Sequence, residues 1–576
     1  MTKLTRRGAI GAAVLGGAAA CAPRAPQKTP YASPTGTAEG AFQHGVASGD
    51  PARDGVVLWT RIAPPADGSA VDVRWQVAPG EDFASIAAEG VATTGPERDY
   101  TVKAVAGGLA PGRAYFYRFL AGDVVSPVGR TRTLADGALA SARFAVVSCS
   151  NYPFGYFNVY DRIARETGFD AVLHLGDYIY EYGVDGYGGP QGEKIGRPHA
   201  PAHEILTLGD YRARHAQYKA DAASRAMHAA HPLIPIWDDH EVANDSWSEG
   251  AENHDPATEG EYAARKRAAL QAYFEWMPVR EPDAGAGREA FFRVFSYGDL
   301  LTLVALETRL MARSKQIPYD EVVPTLTSPE AVQKFKDEVI WAPSREMMGR
   351  AQLDFVRGAL KTSVDAGQPW RVLANQVIMA AVTAPDLTSR VTEEDLAALE
   401  KQWDQARAFV KFSAFGLPTN LDAWDGYPAA RERLYQAARD VGSNGLLVVT
   451  GDTHTWWAND LVAKDGARMG VELGVHSVTS PSPYNKNFLG GKGAEYALLT
   501  NRENKSVRYL SGEDHGYVDL FVERDKATAR FVAVDTIESP SYGAFEKAAF
   551  TIRGGGDAPR FVGAHGLSLK ERALFG

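Results

Sequence analysis

The middle of this chain is punctuated by short apolar runs that each end in polar side chains. Phe144-Ala145-Val146-Val147 runs into Ser148 and Cys149, and Ala171-Val172-Leu173-His174-Leu175-Gly176 runs into Asp177. Pro232-Leu233-Ile234-Pro235-Ile236-Trp237 leads into Asp238-Asp239-His240-Glu241. Trp370-Arg371-Val372-Leu373-Ala374 leads into Asn375, and Leu446-Leu447-Val448-Val449-Thr450-Gly451 into Asp452-Thr453-His454. Nearly continuous apolar runs of this length predict strands buried on both faces, which belong to parallel sheets covered by helices. The strand–helix alternation from Arg143 onward therefore predicts a layered α/β core. In such sheets ligands bind beyond the carboxyl ends of the strands, where each run deposits its polar residues.

Upstream the pattern changes. Val56-Val57-Leu58-Trp59-Thr60, Val71-Asp72-Val73-Arg74-Trp75-Gln76-Val77 and Ala114-Tyr115-Phe116-Tyr117-Arg118-Phe119 alternate or run apolar between Gly, Pro and Asp clusters. They predict a small β-sandwich over residues 39–140, followed by the α/β domain over 141–576. Near the end of the chain, Ala527 to Val534 predicts a closing edge strand. Residues 22–38, rich in Pro, Thr, Ser and Ala, read as a tether. Before them, Thr5-Arg6-Arg7-Gly8-Ala9-Ile10 is a twin-arginine pattern, and the weakly apolar run after it is too short to span a bilayer. Residues 1–38 are thus expected to be signal peptide and linker, with export of the folded protein by the twin-arginine machinery. Ala18-Ala19-Ala20-Cys21 permits cleavage after Ala20 or lipid attachment at Cys21. Cysteine usage favours the lipid, because only Cys21 and Cys149 are present and a lone exposed thiol at a mature N-terminus would be odd. The product is expected to be periplasmic or a membrane-anchored lipoprotein, with an extracellular location still open.

At 576 residues and 45% hydrophobic content the chain exceeds one ordinary domain. Its formal net charge of -10 makes it a poor partner for nucleic-acid backbones. Charge does not exclude a phosphorylated substrate, because metal ions reverse the local field.

The residue types at the strand ends carry the chemistry. Asp177 and Tyr180 form an oxygen-rich pair suited to a hard cation such as ferric iron. Cys149, without a disulfide partner in the mature chain, is either a buried apolar thiol or a metal thiolate, and its place at a strand mouth favours the thiolate. Four consecutive ionisable residues at 238–241 are costly to gather unless a cation neutralises them, and Asn244 and Asp245 follow closely enough to add oxygens. Asp452 and His454, two apart on an extended segment, point to the same side. Asn375 offers an amide oxygen. The repetition implies a polynuclear metal site able to bind phosphate oxygens, activate water and stabilise in-line displacement at phosphorus.

The chain also resembles the alkaline phosphatase D (PhoD-like) family of calcineurin-like metallophosphoesterases. The matching motifs are His44-Gly45-Val46-Ala47-Ser48-Gly49-Asp50-Pro51, Leu58-Trp59-Thr60-Arg61, Ser148-Cys149-Ser150 and His174-Leu175-Gly176-Asp177-Tyr178-Ile179-Tyr180-Glu181-Tyr182. Further matches are Trp237 to Glu241 with Asn244, Trp424-Asp425-Gly426-Tyr427-Pro428, Gly451-Asp452-Thr453-His454 and Ser477-Val478-Thr479-Ser480-Pro481. Leu109-Ala110-Pro111-Gly112 with Tyr115 and Tyr117 is similar to the turn of fibronectin type III modules. The resemblance implies a four-layer α/β/β/α metallophosphoesterase core behind a small fibronectin-III-like β-sandwich, with ferric iron and calcium in the site. It implies that Cys149, Asp177 and Tyr180 hold iron, with Asp177 bridging to calcium. Asp239, Asn244, Asp452 and His454 match the remaining metal-ligand motifs, and Asp238 is a further oxygen candidate. His240 matches the histidine expected to contact phosphate or protonate the leaving alkoxide. Asn375 falls where related phosphoesterases place a ligand, so the implied catalytic set is His240, Asp177 and Asn375.

Two positions depart from the family pattern: Glu307-Thr308-Arg309 stands where Asp-Thr-Arg is expected, and His515-Gly516-Tyr517 where Arg-Gly-Tyr is commoner. Both bear on phosphate grip if they approach the cavity. The Gly-rich stretch 183–208 predicts a mobile loop beside Tyr180, serving either as a gate or as a surface insertion. The resulting expectation is a monomeric, broad phosphomonoesterase and phosphodiesterase. The alternatives are a narrower phospholipase D-like or polymer-directed diesterase with the same site, and a surface-tethered binding lipoprotein. A zinc hydrolase of other esters would require His-rich ligation, which the clusters lack.

Overall fold

Alternate residues of the buried strands face different layers, and this parity builds the molecule. The computed structural model describes residues 40–575 apart from 284, 401–405, 444, 486–490 and 556. The twin-arginine pattern, the tether and Cys21 all lie outside the described residues. The N-terminal segment supplies β1 (Val46–Gly49), β2 (Val56–Arg61), β3 (Val71–Ala78), β4 (Ala88–Thr94), β5 (Thr101–Ala106), β6 (Ala114–Ala121), β7 (Val124–Val125) and β8 (Gly129–Arg132). Then come β9 (Ser141–Val147), β10 (Ala171–Leu175), β11 (Leu233–Ile236), β12 (Arg293–Tyr297), β13 (Leu301–Ala305), β14 (Trp370–Ala374) and β15 (Leu446–Thr450). The chain closes with β16 (Trp456–Val462), β17 (Arg468–Gly474), β18 (Val507–Ser511), β19 (Gly516–Glu523), β20 (Lys526–Val534), β21 (Ala544–Arg553) and β22 (Arg560–His565).

Two sheets face each other. A ten-stranded sheet runs β22-β21-β20-β19-β9-β10-β11-β1-β2-β5, and a seven-stranded sheet runs β12-β13-β14-β15-β17-β16-β18. At their centres β9, β10 and β11 are parallel, as are β13, β14, β15 and β17. Phe144 and Val146 of β9 point into the layer between the sheets, where they join Val372 of β14 with Leu447 and Val449 of β15. Ala145 and Val147 point the other way, onto side chains of the helices Asn158–Arg165, Leu208–Ala220 and Tyr262–Trp276. On the far face of the second sheet, Leu373, Leu446 and Val448 pack on the helices Gly349–Asp365 and Pro428–Asp440. The layers are therefore helix, sheet, sheet, helix, as the buried apolar runs required.

The N-terminal sandwich shares a sheet with this core. β1, β2 and β5 form one of its faces, and β3 with β6 forms the other, around Val56, Leu58, Val73, Val77, Tyr117 and Phe119. β1 is also parallel to β11, with Gly49 opposite Leu233, so the first face continues the ten-stranded sheet. The expected edge strand at 527–534 is instead interior: β20 lies between β19 and β21, and β22 forms the edge. The tail supplies the extra strands, through residues whose weak alternation hid them. The predicted loop at 183–208 contains the helix Gly189–Ile195, and Tyr187 packs its ring 6.4 Å from that of Tyr180. Among the described residues, no helix is long and apolar enough to cross a membrane.

Candidate metal centre

The carboxyl ends of β9, β10, β11 and β15 meet. Gly176, at φ +103°, ends β10 so close to the next strand end that a Cβ there would lie 2.4 Å from Asp238 Cβ. Gly451 does the same between sheets: a Cβ there would lie 2.7 Å from Ser148 Cβ. Cys149, Asp177, Asp452 and His454 all take left-handed backbone conformations, at φ 61°, 55°, 64° and 50°. Such conformations are uncommon outside glycine and gather where function imposes strain. Backbone hydrogen bonds hold two of these turns together, Cys149 N donating to Gly176 O at 3.1 Å and Ser150 N to Asp177 O at 2.9 Å.

Three groups of side chains could each hold an ion. Cys149, Asp177 and His454 form one, Asp177, Asp239 and His240 a second, and Asp238, Asp239 and Asp452 a third; within each, the ligand atoms lie within 4.8 Å of one another. The groups share Asp177 and Asp239, so they form a connected chain. Tyr180 joins it, donating to Asp177 Oδ2 at 3.0 Å and lying 3.4 Å from His454 Nε2, while Ser480 Oγ donates to the phenol oxygen at 2.8 Å. Asp177 Oδ1, Asp238 Oδ2 and Asp239 Oδ1 are buried with no hydrogen-bond partner. Buried carboxylate oxygens left unpaired are costly. Hard cations bound by those oxygens, with thiolate and phenolate at one end, fit this donor set.

The electrostatics agree. Burial pushes the Asp177 carboxyl well above its ordinary range; His240 opposes this, but Asp239 and Asp238 add to it. Burial and the charge of Asp238 do the same to Asp452, against the pull of Arg309. Burial, then Asp177, raises the Cys149 thiol and the Tyr180 phenol. Burial opposes the imidazolium of His240, but Glu181, Asp239 and Asp177 outweigh it and raise His240 well above the usual histidine range. The cluster has more acid than its own cations neutralise.

Residues behind the cluster fix its shape. Glu241 accepts from the backbone amides of Asp177, Tyr178 and Asp238 at 3.1, 2.5 and 2.8 Å. Glu181 accepts from His240 Nδ1 and from the Asn244 amide, both at 2.7 Å. Arg309, fully buried, donates to Asp238, to Asp422 at 2.7 Å and to Asp452 at 3.1 Å, with Asp239 3.7 Å away. Sequence reasoning did not assign roles to Arg309, Glu181, Glu241 or Asp422. Glu181, Glu241 and Arg309 lay inside motifs already in view, whereas Asp422 had no local signal.

The predicted Cys, Asp, His and Tyr residues come together, whereas Asn375, Asn244, Glu307 and His515 have other partners. Asn375 follows β14 as expected, but its amide nitrogen donates to Val377 O, and its amide oxygen accepts from Trp424 Nε1 at 3.2 Å. Both ends of that side chain are engaged by other protein groups, so nothing in the structure carries a catalytic role for Asn375; an apolar strand ending in Asn does not reveal which way the amide turns. The Asn244 side chain donates to Glu252 at 3.0 Å, at the rim. Glu307 does not grip substrate: buried, it accepts from Trp237 Nε1 at 2.9 Å and from the amides of Arg309, Leu310 and Met311 at 2.9, 2.6 and 3.0 Å. Its role is to shape the turn that carries Arg309. His515 lies 3.0 Å from Ser477 Oγ and packs its ring 4.8 Å from that of His476.

Comparison with known proteins agrees with this layout. Residues 144–531 match the model of the PhoD-like phosphatase family, and residues 27–135 that of the PhoD-like phosphatase N-terminal domain. The chain is 35% identical over 529 residues to alkaline phosphatase D of Bacillus subtilis (strain 168), covering 89% of this chain and 81% of that protein. A solved structure described as that of PhoD superposes with a TM-score of 0.72 at 30% identity, covering 96% of this chain and 97% of that one.

Proposed function

The chain belongs to the PhoD-like phosphatase family, and from that premise we propose that it is an exported, metal-dependent phosphoesterase releasing phosphate from phosphomonoesters and phosphodiesters. The observation that carries this reading is the chain of three ligand groups joined through Asp177 and Asp239. Shared carboxylates suit ions held close together, the arrangement that clamps a phosphoryl group.

In this reading Cys149, Asp177 and Tyr180 would hold ferric iron, while Asp239, Asn244, Asp452 and His454, with Asp238 beside them, would complete the ligand set of iron and calcium. When bound, the ions supply Lewis acidity toward a phosphoryl oxygen and a more acidic water. The remaining work falls to the protein. Glu181 keeps a proton on His240 Nδ1 and orients the ring, leaving Nε2 to contact phosphate or return a proton to the departing alkoxide. Arg309 separates Asp238, Asp422 and Asp452 and offsets their repulsion. Glu241 fixes the backbone that carries Asp177 and Asp238.

Elemental analysis and an absorption spectrum of the purified protein test the assignment. Iron, calcium and a tyrosinate-to-iron charge-transfer band are expected, together with hydrolysis of bis(4-nitrophenyl) phosphate. A colourless, iron-free enzyme of full activity would rule out the roles given to Tyr180 and Cys149. The twin-arginine pattern supports export, and the cysteine usage supports a lipid at Cys21. Fractionation of cells expressing wild type and Cys21→Ala tests the anchor: the variant is expected to move from the membrane to the soluble fraction.

A further inference from the structure

We propose that the site selects phosphoesters bearing an apolar ester group, an alkyl chain or an aryl ring, which docks in an aromatic pocket beside Asp452 and His454. The inference rests on the phosphoesterase reading above and names its substrate class. A cavity of about 360 Å³ opens onto Asp452 and His454 and is walled by Ile378, Val382, Phe409, Trp457, Tyr484 and Tyr496. Its aromatic wall is continuous: Trp457 meets Tyr484 edge-on at 5.8 Å, Tyr484 stacks on Tyr496 at 5.6 Å, and Tyr496 lies 6.0 Å from Phe409.

The polar groups around this wall have partners of their own. Asp425 accepts from Arg431 at 2.7 Å and from the Val382 amide at 2.8 Å, and Thr453 Oγ1 accepts from Trp457 Nε1 at 3.0 Å. What remains for a ligand is mainly apolar surface, of a size in the range of small-molecule sites. His454 joins the pocket to the cluster, with Nδ1 3.0 Å from Pro481 O and Nε2 3.4 Å from the Tyr180 hydroxyl. Phosphorus held at the cluster would therefore leave an ester oxygen facing this pocket.

The other cleft beside the cluster has different chemistry. It shares Thr419 and Asn420 with the first, but is lined by Asp245, Glu249, Glu252, Asp320, Glu321 and Asp422. Although Trp247, Tyr262 and Tyr319 also line it, an apolar ester group would lie there among six carboxylates, so the aromatic pocket is the better place for it.

The test uses unhydrolysable alkylphosphonates from methyl to hexyl as inhibitors of bis(4-nitrophenyl) phosphate hydrolysis by the metal-loaded protein. Each methylene that leaves water strengthens binding by about three- to fourfold, so hexylphosphonate, five methylenes longer, is expected to bind roughly several hundredfold more tightly than methylphosphonate. Calorimetry of the same pair should give a more negative heat-capacity change for the hexyl compound, independent of turnover. Trp457→Ala and Phe409→Ala, on separate elements, should each shrink the hexyl-to-methyl ratio several-fold; because both inhibitors are read on one protein, the ratio does not depend on how much of a variant folds. Turnover with a flat inhibitor series, or a series unchanged in both variants, overturns this inference alone. No turnover by the loaded wild type overturns the phosphoesterase reading and this inference with it.

Discussion

At the mouth of the ten-stranded sheet, carboxylates hold backbone; at the mouth of the seven-stranded sheet, a guanidinium holds carboxylates. On the first side Asp177, Asp238 and Asp239 follow β10 and β11 directly, and Glu241 secures the amides of Asp177, Tyr178 and Asp238. On the second side Asp452 follows β15, but its position answers to Arg309, from the turn after β13, and through it to Asp422. One half of the centre is thus held mainly by neutral backbone donors, with Arg309 reaching it only through Asp238 and, at 3.7 Å, Asp239. The other depends on a buried cation arriving from elsewhere in the chain, and should respond more to changes in charge.

Four substitutions probe that difference. Asp177→Ala, which removes the carboxylate common to two ligand groups, should lower turnover about a thousandfold or more and abolish bound iron, measured by bis(4-nitrophenyl) phosphate hydrolysis and metal analysis. Retention of either would break the view of the first mouth as the anchor. Arg309→Met leaves several buried carboxylates facing one another and should destabilise the metal-free protein by about 3–5 kcal/mol. Calcium should raise its unfolding midpoint more than that of wild type, and an equal rise in both would remove the special dependence of the second mouth on charge. Glu241→Gln turns an amide group toward backbone donors and should weaken metal binding by about 10–100-fold with the fold intact; titration with metal reads this directly. Glu307→Asp restores the residue expected at that position but shortens its reach to Trp237 and the turn. A loss of about 1–2 kcal/mol in stability with little change in kcat is expected, whereas a large kcat effect would mean that Glu307 acts on substrate after all.

The layering was legible because buried parallel strands leave continuous apolar runs, and the runs at 144–147, 171–175 and 446–450 lie in the centre of the two sheets. Ligand types at strand ends were legible for the same topological reason. What the runs could not encode was side-chain direction: Asn375 and Asp452 end neighbouring strands, yet Asp452 joins a ligand group while the Asn375 amide bonds Val377 and Trp424. Nor could they encode Arg309, whose role depends on acids 71, 113 and 143 residues away. The edge of the large sheet was missed because β22 carries exposed apolar residues such as Val562, at 51% exposure, and no buried core stripe.

The contact between Gly451 and Ser148 has one further consequence. The gap between the two halves of the centre is gauged by a hydrogen atom where most residues would place a methyl group. A single alanine at 451 would wedge the sheets apart, leaving each half intact on its own strands but out of reach of its counterpart. Ion spacing here would then be a property of how the two sheets abut, inherited from the core rather than set by any one ligand.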